Sequence, residues 1–177
     1  ISNMTGNPDK ALQETMSSVG YNGMNIDARN FLATLLRKSG RVKEAQESAE
    51  KVIETDPLNY YASNELVRLG IIPEKDLEHL LRDVPENYLE LAVSYFNNGF
   101  MEECRQILLA SEAACPYPTV EYWLGYLADI EGDRRSAAEW FRKAAEISPD
   151  YVFPFRLETV KVLETALEYC PESAVTW

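Results

Sequence analysis

The sequence predicts an all-α fold, a stack of antiparallel helix pairs, on three observations. Proline recurs at Pro57, Pro85, Pro116, Pro149 and Pro171, each behind a helix-like segment, with gaps of 28, 31, 33 and 22 residues. Proline lacks an N–H and collides with the preceding turn, so it marks helix boundaries. A period of about 30 residues is the mark of a repeat array. Within the segments, apolar residues recur at helical spacing. Short turns such as Ser39-Gly40-Arg41, Asn97-Asn98-Gly99 and Glu131-Gly132-Asp133 then split the segments in two.

In chain order, Pro8 to Val19 reads as one amphipathic helix with Ala11, Leu12, Thr15 and Met16 inward, and Gly20 to Met24 as a link. The clearest pair runs from Asn25 to Pro57, with Asn25 or Asp27 able to cap the helix start. Its faces are Ala28, Phe31, Leu32, Leu35 and Leu36, then Val42, Ala45, Ala49, Val52 and Ile53. Tyr60 to Leu69, followed by Gly70-Ile71-Ile72-Pro73 and a short helix to Arg82, reads as a compressed pair. Glu86 to Pro116 presents Leu89, Ala92, Val93 and Phe96, then Cys104, Ile107, Leu108 and Ala114. Thr119 to Pro149 presents Trp123, Leu124, Leu127 and Ile130, then Ala137, Ala138, Phe141, Ala144 and Ala145. Val152-Phe153-Pro154-Phe155 reads as a bent link, because the residue before a proline is pushed away from helical dihedrals. Val160 to Tyr169 reads as a second-type helix, with little room for a first one before it.

This pattern resembles the tetratricopeptide repeat family, whose repeat of about 34 residues carries small and large apolar residues at fixed positions and a closing proline. Anchored on Pro57, the family's leucine-small pair falls on Leu32-Ala33, and its next small positions on Ala45 and Ala49. Anchored on Pro116, the pair falls on Leu91-Ala92, the tyrosine on Tyr95 and the alanine on Cys104. Pro149 gives the fullest match, with Leu124-Gly125, Ala137, Phe141 and Ala144 in one register. The family's tryptophan position departs from pattern, holding Arg29, Tyr88 and Glu121, with Trp123 two residues late. The resemblance implies an alpha-alpha superhelix with repeats at about 25–59, 60–85, 86–117, 118–150 and 151–173, after an N-terminal helix and linker at 1–24. Residues 174–177 would open a truncated repeat, so the chain is expected to be a fragment of a larger bacterial protein. The Val152–Arg156 link also resembles segments that join such repeats to carbohydrate-enzyme-like domains in large bacterial proteins.

The resemblance further implies protein or peptide binding along the first helices. Carried over by position, the candidate groove is Asn30, Thr34 and Arg37, then Leu89, Val93, Phe96 and Asn97, then Tyr122, Tyr126 and Asp129. Each has a plain structural reading as well. Phe96, Tyr122 and Tyr126 are also what contacts between neighbouring repeats would use, with the phenolic hydroxyls at the edge.

Nothing in the sequence gathers a reactive constellation. The single histidine, His79, lies three residues from Asp76 and reads as a solvated side chain beside acids. Glu102-Glu103 and the Glu44, Glu47, Glu50 row read as charged helix surface, since carboxylate catalysis needs a facing pair with one raised pKa. No glycine-rich phosphate loop or nucleophile elbow is present. Glu131-Gly132-Asp133 lacks the oxygen ligands of a calcium loop. Cys104 fills a packing position, and Cys104, Cys115 and Cys170 lack zinc or redox spacing. No catalytic residue, metal or cofactor is therefore expected. The net charge of −12, from 29 acids and 17 bases, opposes binding to phosphate backbones and anionic membranes. No stretch approaches the roughly 20 apolar residues of a membrane span. The expected function is a non-catalytic scaffold or protein-binding module; the alternative is a helical arm supporting neighbouring domains of a larger, carbohydrate-related enzyme.

Overall fold

The computed structural model describes residues 8–148, 150, 152 and 156–171. Across them the chain is all-α, with ten helices and no strand among the described residues. They are α1 (Pro8–Tyr21), α2 (Ile26–Lys38), α3 (Val42–Thr55), α4 (Tyr60–Arg68), α5 (Glu74–Leu81), α6 (Pro85–Asn97), α7 (Met101–Ala114), α8 (Pro118–Ile130), α9 (Arg134–Glu146) and α10 (Leu157–Tyr169). The expected repeat opening at 174–177, and Phe153 to Phe155 of the expected link, lie outside the described residues. The chain divides into two compact units, residues 1–82 and 83–177.

The first unit holds the pairs α2/α3 and α4/α5, with α1 packed on α2. Asn25 and Asn59 start α2 and α4 in the same way: each side chain accepts the backbone N–H three residues on, from Ala28 and Ala62, at 3.0 Å. That satisfies one of the donors a helix start leaves unpaired. Ala33, Ala49, Val52, Ala62 and Leu66 form the core, with Ile26, Ile53 and Ile72 packed against it. The alanines let three helices approach closely. In α1, Ala11, Leu12 and Thr15 are buried, whereas Met16, expected inward, sits at the edge and is 41% exposed.

The second unit holds α6/α7 and α8/α9. Pro85 and Pro118 occupy first helical positions, where the missing N–H has no carbonyl to meet. Leu91, Ala92, Tyr95, Cys104 and Leu108 are buried in the first pair, and Trp123, Leu124, Ala137, Phe141 and Ala144 in the second. Gly125 is shaped by its neighbour, since a Cβ there would stand 2.7 Å from the Phe141 ring. Ala114 and Ile130, expected on apolar faces, fall at helix ends and are exposed.

All four first helices close alike. The N–H of Arg41, Ile71, Phe100 and Asp133 reaches back five residues, to the carbonyls of Leu36, Leu66, Tyr95 and Ala128, each at 2.9 Å. This is the Schellman closure, and it needs a left-handed residue just before the donor. Gly40 (φ 74°) and Gly132 (φ 82°) supply it in the two best-matched pairs.

α10 departs from the second-type helix expected over Val160–Tyr169. It begins at Leu157 and packs mainly along the first helix α8, with lesser contact to α9. Its first turn is tied to α6, so it crosses the first-helix side of its unit instead of pairing behind a helix of its own.

Candidate functional site

The ten candidate groove residues fall in two groups, one in each unit. In the first unit, Asn30, Thr34 and Arg37 lie in order along α2, and each bonds a residue at the start of, or on, α4. Asn30 Nδ2 donates to Asn59 Oδ1 at 3.1 Å, and the Thr34 hydroxyl lies 2.8 Å from that of Tyr61. Arg37 grips Glu65 with two nitrogens, at 2.7 and 3.3 Å. Glu65 is fully buried and Arg37 is 18% exposed along its side chain, so this pair works where water screens it little. The family resemblance, carried over by position, pointed to these three residues. Their partners Tyr61 and Glu65 were missed, because nothing in a single helix says which residue of the next one it meets.

In the second unit, α6 supplies Leu89, Val93, Phe96 and Asn97. Leu89 and Val93 are buried, Phe96 is half-buried and Asn97 is exposed. Phe96 stands edge-on to Trp123 with ring centroids 5.1 Å apart, and lies 6.0 Å from Tyr126. Trp123 and Tyr126 also meet edge to face at 5.9 Å. Quadrupolar rings favour this geometry. Phe96 and Tyr126 are therefore brought together, with Trp123 as a third member. Tyr122, four residues before Tyr126, turns to Phe141 of α9 instead, at 6.3 Å, and is 2% exposed.

The two polar members of this group are both engaged by α10. Asn97 Nδ2 donates to Glu158 Oε1 at 2.9 Å, which holds the Glu158 carboxyl below its usual range. The Tyr169 hydroxyl donates to Asp129, and the phenol is held above its ordinary pKa chiefly by that bond. Arg156 lies 3.5 Å from Glu90 of α6, and the Tyr169 ring packs 5.1 Å from Phe141. Thr159, Val162, Thr165 and Ala166 are buried beneath α10. The first-helix side of this unit thus carries a helix of its own chain. Sequence reading missed Arg156, Glu158 and Tyr169 as part of the face. The available signal was that α10, unlike the later helices of each pair, follows no glycine turn.

The groups with chemical potential are set for packing. Cys104 is buried, and burial pushes its thiol up to about 12, opposite to what a nucleophile needs. His79 and Asp76 are exposed on α5. Among the described residues no cluster of three His, Cys, Asp or Glu side chains is placed to hold a metal ion, and no helix is long and apolar enough to cross a membrane. Glu121 is the unusual acid: its side chain is fully buried, one oxygen accepts the Tyr117 N–H at 3.2 Å, and the other lies 4.0 Å from Lys143. Burial outweighs these contacts and raises its pKa.

Residues 26–57 and 122–151 each match the family model of the tetratricopeptide repeat. These stretches cover α2 with α3, and most of α8 with α9. Among solved structures the chain is similar to residues 41 to the end of MamA from Desulfovibrio magneticus RS-1, at 17% identity over 86% of this chain and 92% of that one, with a TM-score of 0.43. It is also similar to YrrB, a TPR protein with an unusual peptide-binding site, at 19% identity over 85% and 82%, TM-score 0.40. TTC0263, a thermophilic TPR protein in Thermus thermophilus, gives 21% identity over 93% and 92%, TM-score 0.40. No curated protein matches.

Proposed function

We propose, from the premise that this chain carries tetratricopeptide repeats at 26–57 and 122–151, that it is a non-catalytic scaffold that binds a protein or peptide through its first helices. The observation that carries the reading is α10. Along α8 the first-helix side accepts a helix, held by an amide, two carboxylates and an aromatic ring. A surface that seats one helix has the shape and the polar groups to seat another. The partner is a protein, since the net charge of −12 repels nucleic acid.

Capture from a lysate of the source organism on the immobilised chain, followed by titration of the purified hit, tests this. The expected result is saturable binding of a defined protein at a fixed ratio. Turnover of a substrate by the chain alone, or no specific partner, would count against it. One observation favours the alternative of a helical arm within a larger, carbohydrate-related enzyme. Leu157, Val160 and Leu167 leave an apolar row exposed on α10 (86%, 55% and 41%), of the kind a neighbouring domain would cover.

A further inference from the structure

We propose that the first-helix side of the 83–177 unit, across α6 and α8, is a helix-binding site held in cis by α10, and that its external ligand is an amphipathic partner helix of α10's own pattern. This rests on the protein-binding reading above and deepens it. The pattern is concrete. It has small or β-branched residues spaced as Thr159, Val162 and Ala166, an acid one position before the first of them to meet Asn97, and a hydroxyl-bearing ring ten positions after it to meet Asp129.

Three features mark α10 as a removable occupant. Its buried side chains, Thr159, Val162, Thr165 and Ala166, are all small or β-branched, with Leu163 and Tyr169 only half-buried beside them. Its polar ties at the α6 end are weak by position: the Asn97–Glu158 bond is exposed, and Glu90 is 55% exposed at 3.5 Å from Arg156. Of its larger apolar residues, Leu157, Val160 and Leu167 point away from the seat and Leu163 is half-buried. A helix placing Leu or Ile where α10 has Thr159 and Thr165 would bury more. A tethered helix acts at an effective concentration of about millimolar, so even a weak seat is held in cis until a better helix arrives.

The test uses the full chain and a labelled synthetic peptide of residues 156–171. In the variant Val162→Asp with Ala166→Asp, α10 cannot bury its face, and the seat is open. This variant should bind the free peptide at least 100-fold more tightly than the unaltered chain, and a peptide carrying Val162→Asp should not bind it. Equal affinity for both chains, or no binding by a variant that still melts cooperatively, overturns the proposal. Should that variant not fold, Glu158→Lys with Tyr169→Phe cuts only the polar ties. It should raise peptide affinity several-fold, and no rise overturns the proposal. Failure here with successful partner capture would remove α10 as the guard and leave the protein-binding reading standing. Success here without any captured partner would do the reverse.

Discussion

Glu65 and Glu121 are both acids with no exposed side-chain surface, and they are held in opposite ways. Glu65 has a guanidinium across two bonds, so removing Arg37 takes a bidentate cation from a carboxylate held away from water. Arg37→Ala should cost about 3–5 kcal/mol in urea unfolding, the typical result of orphaning a buried ion. Arg37→Met combined with Glu65→Leu should recover most of that loss, because the cost lies in burying the carboxylate without that guanidinium and not in a missing attraction. Glu121 has backbone N–H groups, its own and that of Tyr117, and a distant lysine that Glu112 shares. Its folded pKa is raised, so its protonated form is the one the fold favours. The stability it contributes is full below its unfolded pKa and is lost as pH rises through the folded value. Glu121→Gln, which keeps the acceptor for Tyr117, should therefore raise thermal stability at pH 7 by about 1 kcal/mol. The gain should vanish on acidification, and a gain that persists in acid would refute the assignment. The family resemblance identified Arg37. Glu121 stood in the sequence only as an unusual occupant of the tryptophan position, and its burial depends on how α7, α8 and α9 meet.

At the scale of elements, the helix pairs were legible because their joints are written in residue types. Leu124-Gly125 and Phe141 were placed in one register from sequence, and the structure gives the reason: the ring lies where a side chain at 125 would be. Gly125→Ala should destabilise the second unit by about 1–3 kcal/mol, the usual cost of overpacking. Adding Phe141→Leu should return part of it, while Phe141→Leu alone should lose stability through the cavity it leaves. The prolines were an uneven ruler, with gaps of 28, 31, 33 and 22 residues. The turn glycines Gly40, Gly70, Gly99 and Gly132 are a better one, with gaps of 30, 29 and 33. Glycine meets a backbone requirement that recurs in every pair, whereas proline only has to fall somewhere after a helix ends. The short pair α4/α5 keeps its turn glycine and Schellman closure although its helices have 9 and 8 residues. α10 has no such turn before it, and reading it by alternation alone gave it the wrong place.

At the scale of the molecule, the fold class follows from the local pattern and the candidate faces follow only in part. Nearest-neighbour packing explains why: within each unit one helix pair contacts the next, through α3 and α4 in the first and α7 and α8 in the second, so the local pattern carries over. What a helix does when it leaves that order depends on tertiary ties, here Asn97–Glu158, Arg156–Glu90 and Asp129–Tyr169, which join residues 40 to 66 positions apart in sequence. The first-helix side of the second unit, which we propose as a protein-binding surface, is consequently a covered one. Acidification gives a further expectation. Glu158 holds a lowered pKa through Asn97, so its contribution to seating α10 is present above its unfolded pKa and fades as pH falls through the lower folded value. A peptide of residues 156–171 carrying Glu158→Gln, whose own bond to Asn97 does not titrate, should then compete for the seat more readily at low pH than at pH 7.

Amide hydrogen exchange on the intact chain, followed residue by residue, separates an occupant from a building block most directly. Opening free energies follow the buried apolar contacts of each cooperative segment. If α10 is a removable occupant, its amides exchange at least about 100-fold faster than those of α8, through an opening that leaves α6 to α9 protected. If α10 and α8 share one protection level and one denaturant dependence, α10 is an integral layer of the unit, and the first-helix side beneath it is core and not a binding surface.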